Sequence, residues 1–195
     1  MNRNIVNKIL IILLMVFLYP EKSSSTTFRE LSLKELCERS GDIIVGKVVS
    51  LNSYKSPNFS RTYTDIDIEI VEIIKGKLKG NIRLTMFGGT VDGITTMMVG
   101  APSFIPGEQS VFFLSNKPDK KTQNLKYWVT GYFQGKFNIK RDEKTNENMI
   151  FRDNFDNPLL LEKDGARLSI TNSESMGLSE FIQYINNYVK SVVSG

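Results

Sequence analysis

The feature that most constrains the fold is a stretch of alternating apolar and acidic residues at positions 62–74, with the sequence TYTDIDIEIVEII. Ile66, Ile68 and Ile70 occupy alternate positions, and acidic residues lie between them. Successive side chains of a β-strand point to opposite faces, so this spacing predicts a strand with one buried and one exposed face. We therefore expect the three isoleucines to be buried and the acidic residues to be exposed.

Further short apolar runs predict additional strands. The β-branched run 42–51 contains Gly46, which indicates a bulge or a sharp bend, and the continuous run VFFL at 111–114 predicts a strand buried on both faces. Other strands are predicted at 81–87, antiparallel to 62–74, at 97–99, at 149–152, and as two strands around Gly131 and Gly135 within 125–140. A run of short strands with internal glycines favours a small, sharply curved barrel.

The segments between these strands lack a regular pattern. Residues 52–61 are polar and predict a loop, whereas 90–96 predict a loop or a hairpin. Residues 100–107 contain two prolines and two glycines and predict a rigid irregular connection. Residues 153–175 are mixed and weakly patterned, so no element is predicted there.

Two helices flank the predicted strands. Ser32 and Glu35 have the spacing of a capping box, and Gly41 ends the short helix that they begin. A second helix is predicted from Ser179 to about Val193. Its apolar stripe is formed by Leu178, Ile182, Ile185, Val189 and Val192. The predicted fold is therefore mainly β, a small barrel with a short N-terminal helix and a C-terminal helix.

The N-terminus has the order of a secretory signal peptide. Arg3 and Lys8 precede an apolar run at 9–19, and small serines follow it at 23–25. The alternative is an uncleaved membrane anchor, but the run is shorter than the roughly 20 apolar residues that span a bilayer. We therefore predict a signal peptide at 1–25, a barrel domain at 26–157 and a C-terminal extension with an amphipathic helix at 158–195. The processed protein is expected in the periplasm or outside the cell, with no stable membrane span.

Composition excludes several kinds of active site. The chain has no histidine, which excludes a Ser-His-Asp triad, a Cys-His dyad and a histidine general base. Its single cysteine, Cys37, excludes an internal disulfide and a thiolate zinc cluster. Cys37 follows a short apolar pattern and is interpreted as a buried side chain in preference to a reactive thiol. Removal of residues 1–25 leaves a net charge of +2, which gives no electrostatic reason to expect nucleic acid.

Three sets of residues are candidates for a functional site. Asp65, Asp67 and Glu69 could bind a cation or act as an acid–base pair, but carboxylates on one strand face point in parallel, so a solvated face is favoured. The lysines within 75–79 could contact an acidic surface or simply keep a turn soluble. An aromatic platform on the barrel, with packing as the alternative, is the third candidate. Its binding surface would consist of Tyr127, Trp128, Tyr132, Gln134 and Lys136.

The order of these features resembles a known domain. A short helix with a cysteine near its end leads into DIIVGKVV at 42–49, and then a polar loop, Tyr63, the alternating strand and IKG at 74–76 follow. This order resembles the opening of the netrin-like domain of tissue inhibitors of metalloproteinases. It is also similar to a group of uncharacterised bacterial exported proteins, which continue with a pattern found here as Gly88-Gly89, Gly93, Gly100, Pro102, Phe104, Gly107-Glu108 and Phe113-Leu114.

The resemblance covers residues 31–153 and implies an OB-like barrel with flanking helices. The animal inhibitors place an N-terminal cysteine and its free amine on the zinc of the protease. Here the predicted mature N-terminus is Thr26, and Cys37 aligns with a cysteine that forms a disulfide within that domain. The inhibitory contact therefore has no matching residue in this chain.

We expect an exported, non-enzymatic binding module, with a protein as its partner and an exported protease as one candidate partner. One alternative is a hydrolytic enzyme that uses carboxylates such as Asp65 or Asp67. Another is a structural envelope protein with no discrete ligand. No catalytic residue, metal ion or cofactor is predicted from the residues themselves.

Overall fold

The computed structural model describes residues 29–58, 60–119, 125–152, 159–163, 166–170 and 176–193. Its elements in chain order are α1 (Leu33–Arg39), β1 (Asp42–Lys55), β2 (Thr62–Lys75), β3 (Ile82–Phe87), β4 (Gly89–Val91), β5 (Ile94–Thr96), β6 (Gln109–Pro118), β7 (Leu125–Val129), a 3-10 helix (Tyr132–Gly135), β8 (Lys136–Arg141), β9 (Asn148–Arg152), β10 (Leu159–Lys163), β11 (Ala166–Ile170), β12 (Met176–Gly177) and α2 (Leu178–Val193). No helix among these residues is long and apolar enough to cross a membrane.

Five strands close into a barrel in the order β1-β2-β3-β7-β6, with β6 pairing back onto β1. All neighbours are antiparallel except β3 and β7, which run parallel. β8 pairs with β6 and continues the sheet through β9 to β12, while β4 and β5 form a separate hairpin. The structure therefore confirms a mainly β, small OB-like barrel with a short N-terminal helix and a C-terminal helix.

Two apolar clusters lie on opposite faces of the barrel wall. The inner core fills the barrel and consists of Ile44, Val48, Ile66, Ile68, Ile82, Leu84, Phe112, Leu114 and Val129. The helix-side core joins the barrel to α1 and α2 and includes Leu36, Ile43, Val45, Val111, Phe113, Phe137, Phe181 and Ile185. Because β1 and β6 contribute to both clusters, they are buried on both faces, as the run at 111–114 predicts.

The alternation in β2 sets its register as predicted. Ile66 and Ile68 are fully buried in the inner core, and Ile70 is half-buried against it. On the opposite face, Asp65 and Asp67 are half-buried, and Glu69 is exposed. The prediction is thus confirmed for Ile66 and Ile68, whereas Ile70 is only half-buried and the acidic face is more enclosed than expected.

Gly46 brings β1 close to the inner core. A Cβ atom at this position would lie 2.5 Å from Cγ2 of Ile68 and 3.3 Å from the ring of Phe112. The pairing of β1 with β2 also shifts register between Val45 and Gly46, so the predicted irregularity is present. The glycine is therefore required by the close approach of neighbouring side chains.

Side-chain hydrogen bonds satisfy backbone groups at both ends of α1. Ser32 and Glu35 form the predicted capping box, in which the Glu35 N–H donates to Ser32 Oγ and the Ser32 N–H donates to Glu35 Oε2. At the other end of α1, Nζ of Lys75 donates to the carbonyl oxygens of Cys37 and Ser40 at 2.8 and 2.7 Å. This cation compensates the negative end of the helix dipole.

The structure corrects several predictions of local structure. β1 continues to Lys55, because residues 52–55 pair with the start of β2 in place of the predicted loop. The strand predicted at 97–99 is instead part of a turn, which the Ala101 N–H closes by donating to the carbonyl oxygen of Met98. The weakly patterned residues 153–175 contribute β10 and β11, and β12 follows directly after them; the sequence predicted none of these three strands.

The second predicted strand within 125–140 is shorter than expected. Gly131 and Tyr132 have φ values of 67° and 61°, which are incompatible with an extended strand. The chain therefore forms a 3-10 helix at Tyr132–Gly135 before it resumes as β8. This turn rotates the side chains of residues 132–136 away from the alternation that a strand would impose.

Candidate functional site

An apolar cavity of about 250 Å³ opens between β3 and β7, and we call it the mouth cavity. The two strands are parallel, so their carboxyl ends lie at the same end of the barrel. Within the described residues their pairing is limited to Leu84 and Tyr127, and beyond that pair the strands leave a gap in the wall. The floor of the gap is formed by the inner-core residues Ile66, Leu84 and Val129.

Aromatic and thioether side chains form most of the remaining wall. Phe87 lies at the end of β3, Trp128 lies near the end of β7, and Tyr132 begins the 3-10 helix. Phe104 and Met98 come from the connection between β5 and β6 and close the opposite side. Concave apolar sites of this kind with few polar groups are the usual location of ligand binding.

The connection that closes the cavity, residues 97–108, is called the cover segment below. Two turns shape it. One joins Met98 to Ala101 and places Gly100 at φ 78°, and the other joins Ile105 to Glu108 and places Gly107 at φ 90°. Glycine at the third position of a turn with positive φ is typical of a type II turn. The prolines and glycines that predicted a rigid connection thus set its shape.

Backbone hydrogen bonds fasten the cover segment to the barrel at both ends. The Phe133 N–H donates to the Gly100 carbonyl oxygen at 3.0 Å. At the other end, the Gly107 N–H donates to the Val48 carbonyl oxygen at 2.8 Å, and the Val48 N–H donates to the Glu108 carbonyl oxygen at 2.9 Å. The cavity wall is therefore preformed, because it is tied to the 3-10 helix and to β1.

An ion pair between Lys136 and Glu108 lies beside the ring of Phe104. Nζ of Lys136 lies 3.0 Å from a carboxylate oxygen of Glu108, and the lysine side chain has no exposed surface. The same ammonium group lies 5.5 Å from the ring centre of Phe104 and hydrogen-bonds to Asn138 Oδ1. The Phe104 ring also stacks on Phe112 with a centroid distance of 6.2 Å and an interplanar angle of 12°. Phe104 therefore packs against both a cation and the inner core.

Thr85 of β3 lines the cavity, and its hydroxyl bonds to the acidic face of β2. Its hydroxyl donates to Oδ1 of Asp65 at 2.8 Å, and the Tyr54 hydroxyl approaches the same oxygen at 3.4 Å. Burial and the neighbouring Asp65 carboxylate raise the pKa of Tyr54. The Thr85 hydroxyl is thus engaged by Asp65, its partner across β2 and β3 on the face opposite the inner core.

Asp67 belongs to a separate surface pair. Arg83 donates to both carboxylate oxygens of Asp67, at 2.7 and 3.3 Å, and the Ser50 hydroxyl donates at 2.9 Å. These hydrogen bonds, led by the one from Arg83, lower the pKa of Asp67. Among the described residues, no group of three or more His, Cys, Asp or Glu side chains could hold a metal ion. Asp65 and Asp67 are thus each engaged by neighbouring strands and do not converge.

The structure separates the five residues predicted as a binding surface. Trp128 and Tyr132 line the mouth cavity, and Tyr127 packs half-buried against the inner core. Gln134 is buried, where it accepts from the Leu31 N–H at 2.7 Å and donates to the carbonyl oxygen of Arg29. Lys136 is buried and forms an ion pair with Glu108. Gln134 and Lys136 therefore present no binding surface to solvent.

The sequence did not identify the cover segment as part of a functional site. Met98 was noted only within a predicted strand, and Phe104 only within a rigid connection and the pattern of the resemblance, although both line the cavity. A usable signal lay in the Pro-Gly pair at 106–107, which is typical of a type II turn and would have placed Glu108 beside the barrel.

The cover segment carries three exposed apolar side chains. Met97, Val99 and Ile105 are 85%, 67% and 63% exposed, and we call them the apolar rim. Each is adjacent in sequence to the cover segment's cavity-lining residues or to its turns. Large exposed apolar side chains on the segment that closes a cavity are candidates for contact with another molecule.

Cys37 is enclosed on the far side of the molecule, in the helix-side core. Burial raises the pKa of its thiol to about 12, although Lys75 opposes the shift. The thiol is therefore protonated at neutral pH, as expected for a buried side chain and not for a thiolate ligand. A second cavity of about 170 Å³ adjoins it, between Glu38, Lys75 and the end of α2.

Comparison with protein-family models, with curated proteins and with solved structures gives no match to this chain.

Proposed function

We propose that this protein is an exported binding module and that the mouth cavity receives an apolar side chain of a protein partner. The observation that supports this proposal is the combination of an apolar cavity with exposed apolar residues on the segment that closes it. A pocket that receives one anchoring side chain matches the anatomy of protein interfaces, in which a few anchors supply most of the binding energy.

The chemistry of the cavity favours binding over catalysis. Among the residues that the structure describes, its lining contains no carboxylate, amine, guanidinium or thiol group, and Tyr132 is the only titratable side chain there. The alternative, a hydrolytic enzyme based on Asp65 or Asp67, would need carboxylates that reach a common substrate. Asp65 instead accepts from Thr85, and Asp67 is occupied by Arg83. We therefore infer a non-enzymatic role.

Export is part of the proposal and derives from the signal-peptide pattern at 1–25, which lies outside the described residues. An exported protease is one candidate partner. Zinc coordination of the kind used by the animal inhibitors would need a terminal or ionised cysteine, whereas Cys37 is buried and protonated. Any association with a protease would then use the mouth cavity and its apolar rim.

Capture from an envelope extract tests the proposal. The processed protein serves as bait beside two variants, Trp128→Ala, which removes a cavity wall, and Val71→Ala, which alters an exposed side chain on β2. Trp128→Ala is expected to reduce recovery of the bound protein by at least about tenfold, because a central aromatic anchor is lost. Val71→Ala is expected to leave recovery unchanged.

Equal recovery by all three baits would contradict the proposal, provided that circular dichroism melts show that the variants fold. Absence of any captured protein would instead favour the structural envelope role with no discrete ligand.

A further inference from the structure

We propose that a second copy of this chain pairs with the free edge of β1, so that two molecules form one continuous antiparallel sheet around a twofold axis at Ser53. The inference goes beyond the proposed function, because this edge contributes no described residue to the lining of the mouth cavity. Three observations carry it: outward-pointing backbone groups along residues 49–55, a limit at each end of that edge, and a register in which the edge complements itself.

The free edge is the second half of β1. β6 pairs with residues 42–47 of β1, and the cover segment bonds to Val48. Over residues 49–55, β2 is the only strand that pairs with β1 in the part of the chain that the structure describes. The exposed apolar side chains of this stretch are Val49, Leu51 and Tyr54. It is therefore an edge strand open to pairing with another chain.

The hydrogen-bond pattern of the β1–β2 hairpin determines which backbone groups face outward. The Ser56 N–H donates to the Arg61 carbonyl oxygen at 2.8 Å, so these two residues form a hydrogen-bonded pair. Hydrogen-bonded and non-hydrogen-bonded pairs alternate along antiparallel strands. The N–H and C=O groups of Leu51, Ser53 and Lys55 therefore point away from β2. Among the described residues, no backbone group bonds to them.

Both ends of the free edge are limited. At one end, the register with β2 shifts at Val49, which forms a bulge, and bulges interrupt regular pairing. At the other end, Pro57 follows shortly after β1 and has no N–H to donate. The outward groups available to another strand lie between these limits and are centred on Ser53.

β4 lies over one face of the hairpin and leaves its edge unpaired. Gly89 of β4 packs against the side chains of Ser53 and Thr64, which hydrogen-bond to each other on that face. Within the described residues β4 pairs with β5 and not with β1. The backbone groups along the edge therefore stay available.

A second copy uses every outward group of the edge. In an antiparallel pairing centred on Ser53, that residue lies opposite its own counterpart, and Leu51 lies opposite Lys55 of the second copy. Each such pair exchanges two backbone hydrogen bonds. The two Lys55 side chains lie at opposite ends of the contact, so like charges do not face each other, and each lysine packs its aliphatic stem on a leucine. The contact is isologous and closes at two copies.

Disulfide trapping tests the register. Two variants of the processed protein, Leu51→Cys and Lys55→Cys, are oxidised separately and as a mixture, and the buried Cys37 does not interfere. Opposed residues of a hydrogen-bonded pair have Cα atoms about 5.5 Å apart, which suits a disulfide. The mixture is expected to give a mixed dimer. Each variant alone should give at least about tenfold less, because identical positions lie at opposite ends of the contact.

Sedimentation equilibrium measures the association itself. The wild-type protein is expected to show a reversible equilibrium of monomer and dimer, since an edge-to-edge contact is small. Leu51→Pro removes an outward N–H that has no partner among the described residues, so dimerisation should weaken at least about tenfold. Lys55→Pro makes the same test at the other end of the edge if the first variant fails to fold by circular dichroism. Val71→Ala, the matched surface control, should leave association unchanged.

A wild-type protein that stays monomeric at every concentration would overturn the proposal, as would dimers that folded proline variants do not weaken. Equal disulfide yields from the mixture and from the single variants would overturn the register centred on Ser53. A monomer whose capture of an envelope protein is lost in Leu51→Pro would assign the edge to a strand of another protein and not to a second copy.

Discussion

Ile68→Ala is expected to lower the free energy of unfolding by about 2–5 kcal/mol. Ile68 is fully buried in the inner core, and its Cγ2 atom fills the space that Gly46 leaves in β1. The variant would open a cavity between β1, β2 and the ring of Phe112, and this rigid barrel wall cannot collapse to fill it. Urea denaturation followed by circular dichroism measures the change.

Two substitutions on the same strand are the controls. Val71→Ala alters a side chain that is 55% exposed and should change the free energy of unfolding by less than about 0.5 kcal/mol. Asp67→Ala removes a surface ion pair with Arg83 and should cost no more than about 1 kcal/mol. Losses of equal size at Ile68 and Asp67 would show that the register of β2 is wrong.

Lys136→Met is expected to lower the free energy of unfolding by about 3–5 kcal/mol. The substitution preserves much of the packing volume but leaves the Glu108 carboxylate, which is only 17% exposed, without its cation. The double variant Lys136→Met/Glu108→Gln should recover most of that loss, because it removes the uncompensated charge as well. Denaturant unfolding of the two single variants and the double variant completes the cycle.

Lys47→Met is the matched control, since Lys47 is exposed on β1 and its substitution should change stability by less than about 0.5 kcal/mol. If the double variant lost as much stability as the two single variants combined, Lys136 and Glu108 would act independently. The ion pair would then not support Phe104.

The sequence predicted those features whose physical cause lies between residues close together in the chain. The register of β2 follows from period-two alternation, and the capping box at Ser32 and Glu35 acts across three residues. The double burial of 111–114 followed from its unbroken apolar run. In each case the physical cause lies within one element, so a single sequence carries enough information.

The mouth cavity depends on contacts between distant parts of the chain. Phe104 meets Lys136, and Gly100 accepts from Phe133, each across about 30 residues or more of sequence. No local pattern encodes these pairings. The aromatic content of 127–132 correctly drew attention to Trp128, but the left-handed turn at Gly131 and Tyr132 changed which side chains face outward.

Photo-crosslinking tests the central claim, that a protein binds at the mouth cavity, most directly. A photoreactive phenylalanine analogue replaces Met97 on the apolar rim or, as the control, Val71 on β2, and the exported protein is irradiated in intact cells. We expect a discrete crosslinked partner from position 97 and none from position 71, with the product from position 97 lost when Trp128→Ala is added. The same products from both positions, or no product from position 97, would contradict a protein-binding site at the barrel mouth.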